Sequence, residues 1–384
     1  MKILNVVGTR PEIIKTQPVM KEIQNRGHEL VFVHTGQHYD FNMSGVFIEE
    51  LELNAPNYFL NVKSTSQGAQ TGQIISKCES ILKNEQPDLV IVTGDTNSGL
   101  GAAITSSKLG IKLAHVEAGC RSFDRTMTEE INRKLISHIA DLHFAPTKNC
   151  QANLISEGIS AGVFLSGHPI VDLIHKLRSR LLRNNLREPL GPVEYSYVLI
   201  TLHRRENITN PYIIRNILMA MDRLSHRIPV IFPCHPHTKK QITSFALTTL
   251  LKNLKVIEPV SYLQSLSLIK FAKFVMTDSG GVQQEAALIG TPCITLREKT
   301  EWIETLEAGV NSLAGHELNR ITQVVNTLDK HYDDVLVRFK SIRQLFGTVG
   351  ASNRIADIIE RSESFHQVAA SPDEKANYKD SVRI

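Results

Sequence analysis

At 384 residues the chain exceeds the usual domain of about 100–200 residues, so two domains are expected. With 42% hydrophobic and 21% charged residues it can bury a sizeable core, which excludes disorder as its main state. A net charge of +4 without a long basic run gives a nucleic-acid partner little support, while the modest excess of Lys and Arg suits an anionic small substrate.

The opening "MKILNVVGTRPE" has an apolar run too short for a signal-peptide core, ended by Gly8 and Arg10, and no apolar segment approaches the ~20 residues needed to span a bilayer. Short β-rich runs then alternate with segments of helical periodicity, the pattern of a parallel sheet covered by helices. The first series of expected strands is Ile3–Gly8, Leu30–His34, Leu89–Thr93, Lys112–Val116 and Leu142–Ala145. The second is Tyr197–Thr201, Pro229–Pro233, Lys255–Ile257, Phe274–Thr277 and Pro292–Leu296. Each series reads as one doubly wound α/β domain.

Between them, "HKLRSRLLRNNLREPLGPVEYS" is charged and then broken by Pro189, Gly191 and Pro192, which places a boundary near 170–190. The expected units are 1–170 and 171–348, with a helix over about 349–361 packing back on the first. Gly27, Gly110 and Gly290 stand where helices end. Residues 362–384 lack an apolar face and are expected to be mobile. Five scattered cysteines, Cys78, Cys120, Cys150, Cys234 and Cys293, form no disulfide framework and fit a reducing cytoplasm.

Apolar strands recurrently end in polar loops: "GTRPE", "TGDTN", "VEAG", "TLHRREN" and "TDSGG". Ligands of open α/β sheets bind at the carboxyl ends of strands, so these loops predict a cleft between the domains. In "GTRPEIIK", Pro11 suits a helix's first turn, Arg10 could clamp a diphosphate, and Lys15 either joins it or is a solvated helix charge. Asp95 and Glu117 each follow a strand; as confined acids they could move protons, or Asp95 could cap the next element. Capping is the weaker alternative for Glu117, since Glu is a poor N-cap.

Glu129 and Glu130 have an adequate local explanation. Thr126-x-x-Glu129 is a capping-box pattern, and Glu129/Arg133 and Glu130/Lys134 are helix pairs of favourable orientation. In the second series, His203, Arg204 and Arg205 follow a strand and could hold a leaving diphosphate, or the arginines could pair with Glu206 on a surface loop. Cys234, His235 and His237 are too compressed for a usual zinc site, and no metal is expected. Ser279, Gly280 and Gly281 stand between a strand and a helix start, where free N–H groups attract a phosphate, and Glu285 one turn later could meet ribose hydroxyls. An ordinary glycine turn is the alternative. Trp302 is read as part of another cleft loop, with burial in a core as the alternative. The chain has neither a Walker-type lysine loop nor a Gly-x-Gly-x-x-Gly fingerprint, which argues against ATP hydrolysis and nicotinamide chemistry.

Taken together, "GTRPEIIK", "GDTNS", "HVEAGCRS", "TEEINR", "TLHRREN", "TDSGGVQQEA" and "REKTEW" resemble, in order and approximate spacing over about residues 1–360, the non-hydrolysing UDP-N-acetylglucosamine 2-epimerase family. The resemblance implies two Rossmann-like domains in the glycosyltransferase B arrangement, usually a homodimer, with no redox cofactor. It implies inversion of carbon 2 between UDP-N-acetylglucosamine and UDP-N-acetylmannosamine, through loss of UDP, a bound 2-acetamidoglucal and re-addition, supplying polysaccharide precursors. By the same resemblance Asp95, Glu117 and Glu129 match acid/base carboxylates and His203 a catalytic histidine. Arg10, Lys15, Arg204, Ser279, Gly280, Gly281, Glu285 and Trp302 fall at substrate-binding positions.

Two stretches depart from the family pattern. "TEWIE" puts Trp302 where an arginine usually contacts substrate, and "HTGQHYDFNMS" (34–44) differs from the Gln-His-Arg stretch of members activated by a second substrate molecule. Both look like the branch acting on UDP-2,3-diacetamido-2,3-dideoxy-glucuronate, the alternative substrate. A glycosyltransferase and a sugar-nucleotide sensor are the readings from other classes.

Overall fold

The Val, Ile and Leu runs form two parallel sheets in the computed structural model, which describes residues 1–36, 50–62, 66–182, 197–342 and 344–369. Residues 37–44 of the departing stretch, and 183–196 of the connection, lie outside the described residues. The first sheet holds β1 (Lys2–Val7), β2 (Glu29–His34), β3 (Tyr58–Phe59), β4 (Leu89–Thr93), β5 (Lys112–Val116), β6 (Leu142–Ala145) and β7 (Val163–Leu165), in the order β3-β2-β1-β4-β5-β6-β7. The second holds β8 (Val198–Thr201), β9 (Val230–Pro233), β10 (Lys255–Ile257), β11 (Phe274–Thr277), β12 (Cys293–Thr295) and β13 (Asn311–Leu313), in the order β10-β9-β8-β11-β12-β13.

Helices cover these strands: α1 (Arg10–Asn25), α2 (Gln67–Glu85), α3 (Asn97–Lys108), α4 (Thr128–Ile139), α5 (Lys148–Ser156) and α6 (Ile170–Leu177), then α7 (Arg205–Ile208), α8 (Pro211–Ser225), α9 (Pro236–Ser244), α10 (Tyr262–Phe271) and α11 (Gly280–Ile289). The last are α12 (Ile303–Glu307), α13 (Leu318–Lys330), α14 (Tyr332–Ser341) and α15 (Ala351–Ala369). The architecture is two Rossmann-like doubly wound domains in the glycosyltransferase B arrangement, with the cleft between them.

In each sheet the strand order reverses once, between β1 and β4 in the first and between β8 and β11 in the second. These are the topological switch points, where the loops leaving neighbouring strands diverge and open a crevice. The loops that leave β1 and β4 are "GTRPE" and "GDTN"; those that leave β8 and β11 are "TLHRREN" and "TDSGG". All ten expected strands are present within a residue or two. The unexpected β3, β7 and β13 are two or three residues long and lie at sheet edges, too short to carry a periodic pattern.

Gly27, Gly110 and Gly290 all have positive φ, as helix-ending residues do. The C-terminal helix differs from expectation in length: α15 continues past Arg361 to Ala369, because "SESFHQVA" contains no breaker before the Ser-Pro that follows. Residues 370–384 lie outside the described residues. The helix starts on Asp172 of α6, whose carboxylate accepts from the backbone N–H groups of Gly350 (2.6 Å), Ala351 (3.3 Å) and Ser352 (2.8 Å). That carboxylate satisfies donors which the first turn of a helix leaves open. Ile355 and Ile359 then bury against Ile3, Val19, Ile91 and Val116 of the first sheet's layer.

Ile355 is fully buried in that layer. Ile355→Ala is therefore expected to cost about 2–5 kcal/mol in urea unfolding. A loss below about 1 kcal/mol, the range of an ordinary surface substitution, would mean that α15 does not pack there in solution.

Candidate active site

Glu117 leaves the end of β5 with φ +67, a left-handed conformation that costs a non-glycine residue energy and persists only when its surroundings hold it. The next loop glycine, Gly119, has φ +81, and a Cβ there would lie 2.0 Å from the Cys150 carbonyl, so the turn admits only glycine. Glu117 is 6% exposed, and Lys15 Nζ lies 2.7 Å from both of its carboxyl oxygens. Burial favours the neutral acid, but Lys15 and His168 outweigh it and hold the Glu117 carboxyl down at about 2. Lys15 is therefore no solvated helix charge: its side chain is only 15% exposed, and although desolvation lowers its pKa, Glu117 and Asp95 keep it raised.

Asp95 leaves β4 and pairs with Arg133 of α4 at 2.5 Å, while Asn132 donates to the Asp95 carbonyl at 2.9 Å. Glu12 ties this loop to "GTRPE", accepting from Gly8 N (2.8 Å), Thr9 N (2.9 Å) and Thr96 Oγ1 (2.6 Å). Burial pushes its carboxyl up to about 7 against those donors.

The local explanations for the paired glutamates do not hold. Helix α4 begins at Thr128 with Met127 as its N-cap and no side-chain cap, and Thr126 bonds Asp124 instead. Glu129, on the second helical residue, points across the cleft to Arg204 Nη1 at 3.3 Å. Glu130 is 1% exposed and accepts from Ser122 N (2.9 Å) and Phe123 N (3.2 Å), so it faces Arg133 and not Lys134, which lies beside Glu157. Arg133 is drawn inward by Asp95 and does not pair with Glu129.

In the second domain Asp278, at the end of β11, is fully buried and accepts from His203 N (3.2 Å), Arg204 N (3.0 Å) and Asn207 Nδ2 (3.2 Å). Its carboxylate also lies 3.1 Å from His203 Nδ1, which orients the half-exposed imidazole and leaves Nε2 as its outward nitrogen. Burial opposes ionisation of Asp278, but His203 and the two N–H donors hold its pKa down.

Ser279 caps α11, and Gly280 begins it. A Cβ on Gly280 would lie 2.2 Å from Glu301 Oε1, whereas one on Gly281 would meet only Ser279 Oγ at 3.8 Å. A side chain at position 280 would thus have to displace the Glu301 carboxylate, whereas Gly281 lies on the open side of the helix start. Glu285, one turn on, is buried beside Arg10 and Tyr262; burial pushes its carboxyl up to about 7 although Arg10 opposes. Burial brings Arg10 down to about 10, with Glu285 opposing, and its Nη2 donates to the Val260 carbonyl at 3.1 Å.

Trp302 does not line the cleft. It is 1% exposed and packs edge-on to Phe346 and His168, because its large apolar surface finds a partner in the cluster around Ala118, Cys120 and Leu154. The compressed "PCHPH" has a structural use: His235 Nδ1 accepts from His237 N and caps α9. Among the described residues no three His, Cys, Asp or Glu side chains gather as metal ligands, and no helix is long and apolar enough to cross a membrane.

The loops of both domains thus converge, acids and Lys15 on one wall, His203, Arg204 and the α11 start on the other. A sequence model of the family described as UDP-N-acetylglucosamine 2-epimerase matches residues 21–360. The chain belongs to that family. A "UDP-N-acetylglucosamine 2-epimerase homolog" of Methanococcus maripaludis is 44% identical, covering 88% of this chain and 96% of its own. The UDP-2,3-diacetamido-2,3-dideoxy-D-glucuronate 2-epimerase of Pseudomonas aeruginosa is 37% identical over 94% of this chain and 100% of its own. The crystal structure of the Methanocaldococcus jannaschii UDP-GlcNAc 2-epimerase in complex with UDP-GlcNAc and UDP superposes with a TM-score of 0.86 at 41% identity, covering 94% of this chain and 100% of that one.

Four residues of this epimerase site escaped the sequence reading. Asp278, Arg133 and Glu301 stand inside the motifs already quoted, but nothing in their spacing distinguishes a supporting charge from a surface one. His168 belongs to no motif, and only the fold brings it to Glu117, at 3.4 Å.

The folded epimerase holds the Glu285 proton up to about pH 7, against an ordinary value of 4.5, so this group makes folding less favourable as pH rises through that interval. Glu285→Gln removes the dependence. Its stability relative to wild type should rise between pH 4 and pH 8 by about 3 kcal/mol in denaturant titrations. A difference that stays the same at the two pH values would mean that Glu285 titrates in the fold as it does in the unfolded chain.

Proposed function

We propose that the chain catalyses the reversible, non-hydrolysing 2-epimerisation of UDP-N-acetylglucosamine to UDP-N-acetylmannosamine. The observation that carries this reading is the pairing of the buried Glu117 and the partly exposed Asp95 and Glu129 on one wall of the cleft with a histidine, an arginine and a helix N-terminus on the other. A carboxylate takes the proton from carbon 2 while the anomeric carbon–oxygen bond breaks and its electron pair leaves with UDP. The 2-acetamidoglucal stays bound, UDP adds back to the anomeric carbon, and a second acid returns a proton to the opposite face. No net oxidation occurs, so no redox cofactor is needed.

Glu117, held ionised, suits the accepting role, with Asp95 and Glu129 as the further acid/base groups. Lys15 and Arg10 stand where they can turn to the diphosphate, and a cation that leaves Glu117 for phosphate makes that carboxylate a stronger base. His203, backed by Asp278, is a donor to the leaving diphosphate, with Arg204 and the turn Ser279, Gly280 and Gly281 as further phosphate contacts. Glu285, which interacts with Arg10, is the proposed contact to the nucleoside. In this reading residues 1–170 with α15 carry the carboxylates and 171–348 bind UDP. The setting is a cytoplasmic supply of polysaccharide precursors.

The same reaction on UDP-2,3-diacetamido-2,3-dideoxy-glucuronate is a second reading, favoured by Trp302 in place of the family's arginine and by the 37%-identical Pseudomonas aeruginosa relative. A homodimer is also proposed: Phe123, Ile131 and Leu135, each about half exposed or more on or beside α4, offer an apolar face.

Proton NMR in deuterated water is expected to show exchange at carbon 2 of UDP-N-acetylglucosamine together with formation of the manno epimer, without stoichiometric free UDP. Exchange on the uronate alone would replace the first reading by the second, and steady release of UDP would remove both. Asp95→Asn, Glu117→Gln and Glu129→Gln should each lower turnover about 10²- to 10⁴-fold while UDP binding is largely kept; unchanged turnover in all three would leave a sugar-nucleotide binder. Light scattering at micromolar concentration should give twice the chain mass, and a monomer mass there would remove the dimer.

A further inference from the structure

We propose that His168 is a positioning residue for Glu117: its Nε2–H steadies the carboxylate, while the backbone on the other side of the ring fixes which nitrogen carries the proton. The inference rests on the reading of Glu117 as a proton-transfer group in the proposed epimerisation.

His168 follows β7 and is fully buried. Its Nδ1 accepts from the backbone N–H of Ile170 at 3.1 Å. An amide N–H can only donate, so Nδ1 carries no proton and, in the neutral ring, Nε2 does. That Nε2 lies 3.4 Å from Glu117 Oε1, and no closer acceptor stands among the described residues. A buried N–H without a good acceptor is costly. At 3.4 Å the contact is longer than a good hydrogen bond, as catalytic contacts often are before a ligand tightens them.

The ring is wedged in place. Trp302 meets it edge-on at 5.9 Å, Phe346 at 6.5 Å, and these two rings meet each other at 5.3 Å and 88°. The His168 backbone N–H donates to the Phe346 carbonyl at 2.8 Å. Trp302, at a position where the family pattern has an arginine, therefore serves the site indirectly, as the wall against which His168 rests.

A neutral donor does something that Lys15 cannot. Lys15 holds both Glu117 oxygens but is also a candidate for the diphosphate, and a carboxylate it leaves would be free to rotate. His168 keeps Glu117 oriented without a full positive charge that would suppress its basicity. The groups facing this pair are Lys15 from α1, His115 and Cys120 on the strand and loop of Glu117, and Asp172 from α6. Burial lowers the His168 pKa, with Glu117 opposing, so the ring stays neutral.

His168→Asn keeps an acceptor for the Ile170 N–H but cannot reach Glu117, whereas His168→Gln carries an amide N–H to the place of Nε2. The Asn variant should lose about 10- to 100-fold in kcat with KM little changed. The acid limb of its kcat profile should move to higher pH, because the carboxylate has lost a donor that favours its ionised form. His168→Gln should recover most of kcat and restore the limb. Wild-type kcat and limb in the Asn variant, or a Gln variant as poor as Asn, overturns the proposal.

A measurement on the wild type needs no variant to fold. Imidazole nitrogen NMR should show a His168 ring protonated at Nε2 and bare at Nδ1 from pH 6 to 8. A proton on Nδ1, or an imidazolium at neutral pH, overturns the proposal equally. If wild type exchanges no carbon-2 proton at all, the epimerase reading fails, while the tautomer result still decides the contact between His168 and Glu117.

Discussion

A carboxylate taken out of water must be met by opposite charge or give up its own, and in this protein Glu301 is met by three arginines. Arg297 lies 2.9 Å away on the same loop, Arg133 at 3.8 Å reaches from the first domain, and Arg204 at 3.8 Å from the second. Burial disfavours its ionisation, but the three cations overcome that and hold its pKa well below the usual range. Each of the two outer arginines also pairs with another acid of the cleft: Arg133 with Asp95 and Arg204 with Glu129. The cleft is thus closed across its centre by one alternating chain of charges, Asp95–Arg133–Glu301–Arg204–Glu129.

That chain sets an arginine beside each of Asp95 and Glu129, so neither carboxylate faces the other across the cleft. Asp95 and Glu129 are not direct neighbours in it; Arg133, Glu301 and Arg204 intervene. Glu117 is kept apart with its own cation, Lys15, and with the neutral edge of His168. In the proposed reaction the diphosphate competes for the same cations, so binding and the release of basic carboxylates would be one event in electrostatic terms. The backbone has been strained to make this possible, since Glu117 takes a conformation that most residues avoid.

Much of this was legible in the chain. Alternating apolar runs and helical stretches gave both sheets, because strand formation in a buried parallel sheet is written in contiguous Val, Ile and Leu. The polar loops at strand ends gave the cleft and its residues, because the switch point follows from strand order. The partners of Glu130 and Glu129 were not legible: local rules gave both an ordinary helix role, and the fold gave neither. Glu130 turned inward to three donors of its own preceding loop, and Glu129 met an arginine 75 residues away in sequence.

The sequence by itself determined the elements, the family and the residue types that gather at the cleft, since these depend on periodicity, punctuation and motif order along the chain. Tertiary structure alone decided which charge answers which. Lys15 became the partner of Glu117 rather than a surface lysine, Trp302 became a buried wall rather than a ligand contact, and His168 came to a carboxylate 51 residues before it. Pairing energies at 3–4 Å depend on distance and burial, and neither quantity is written in sequence spacing.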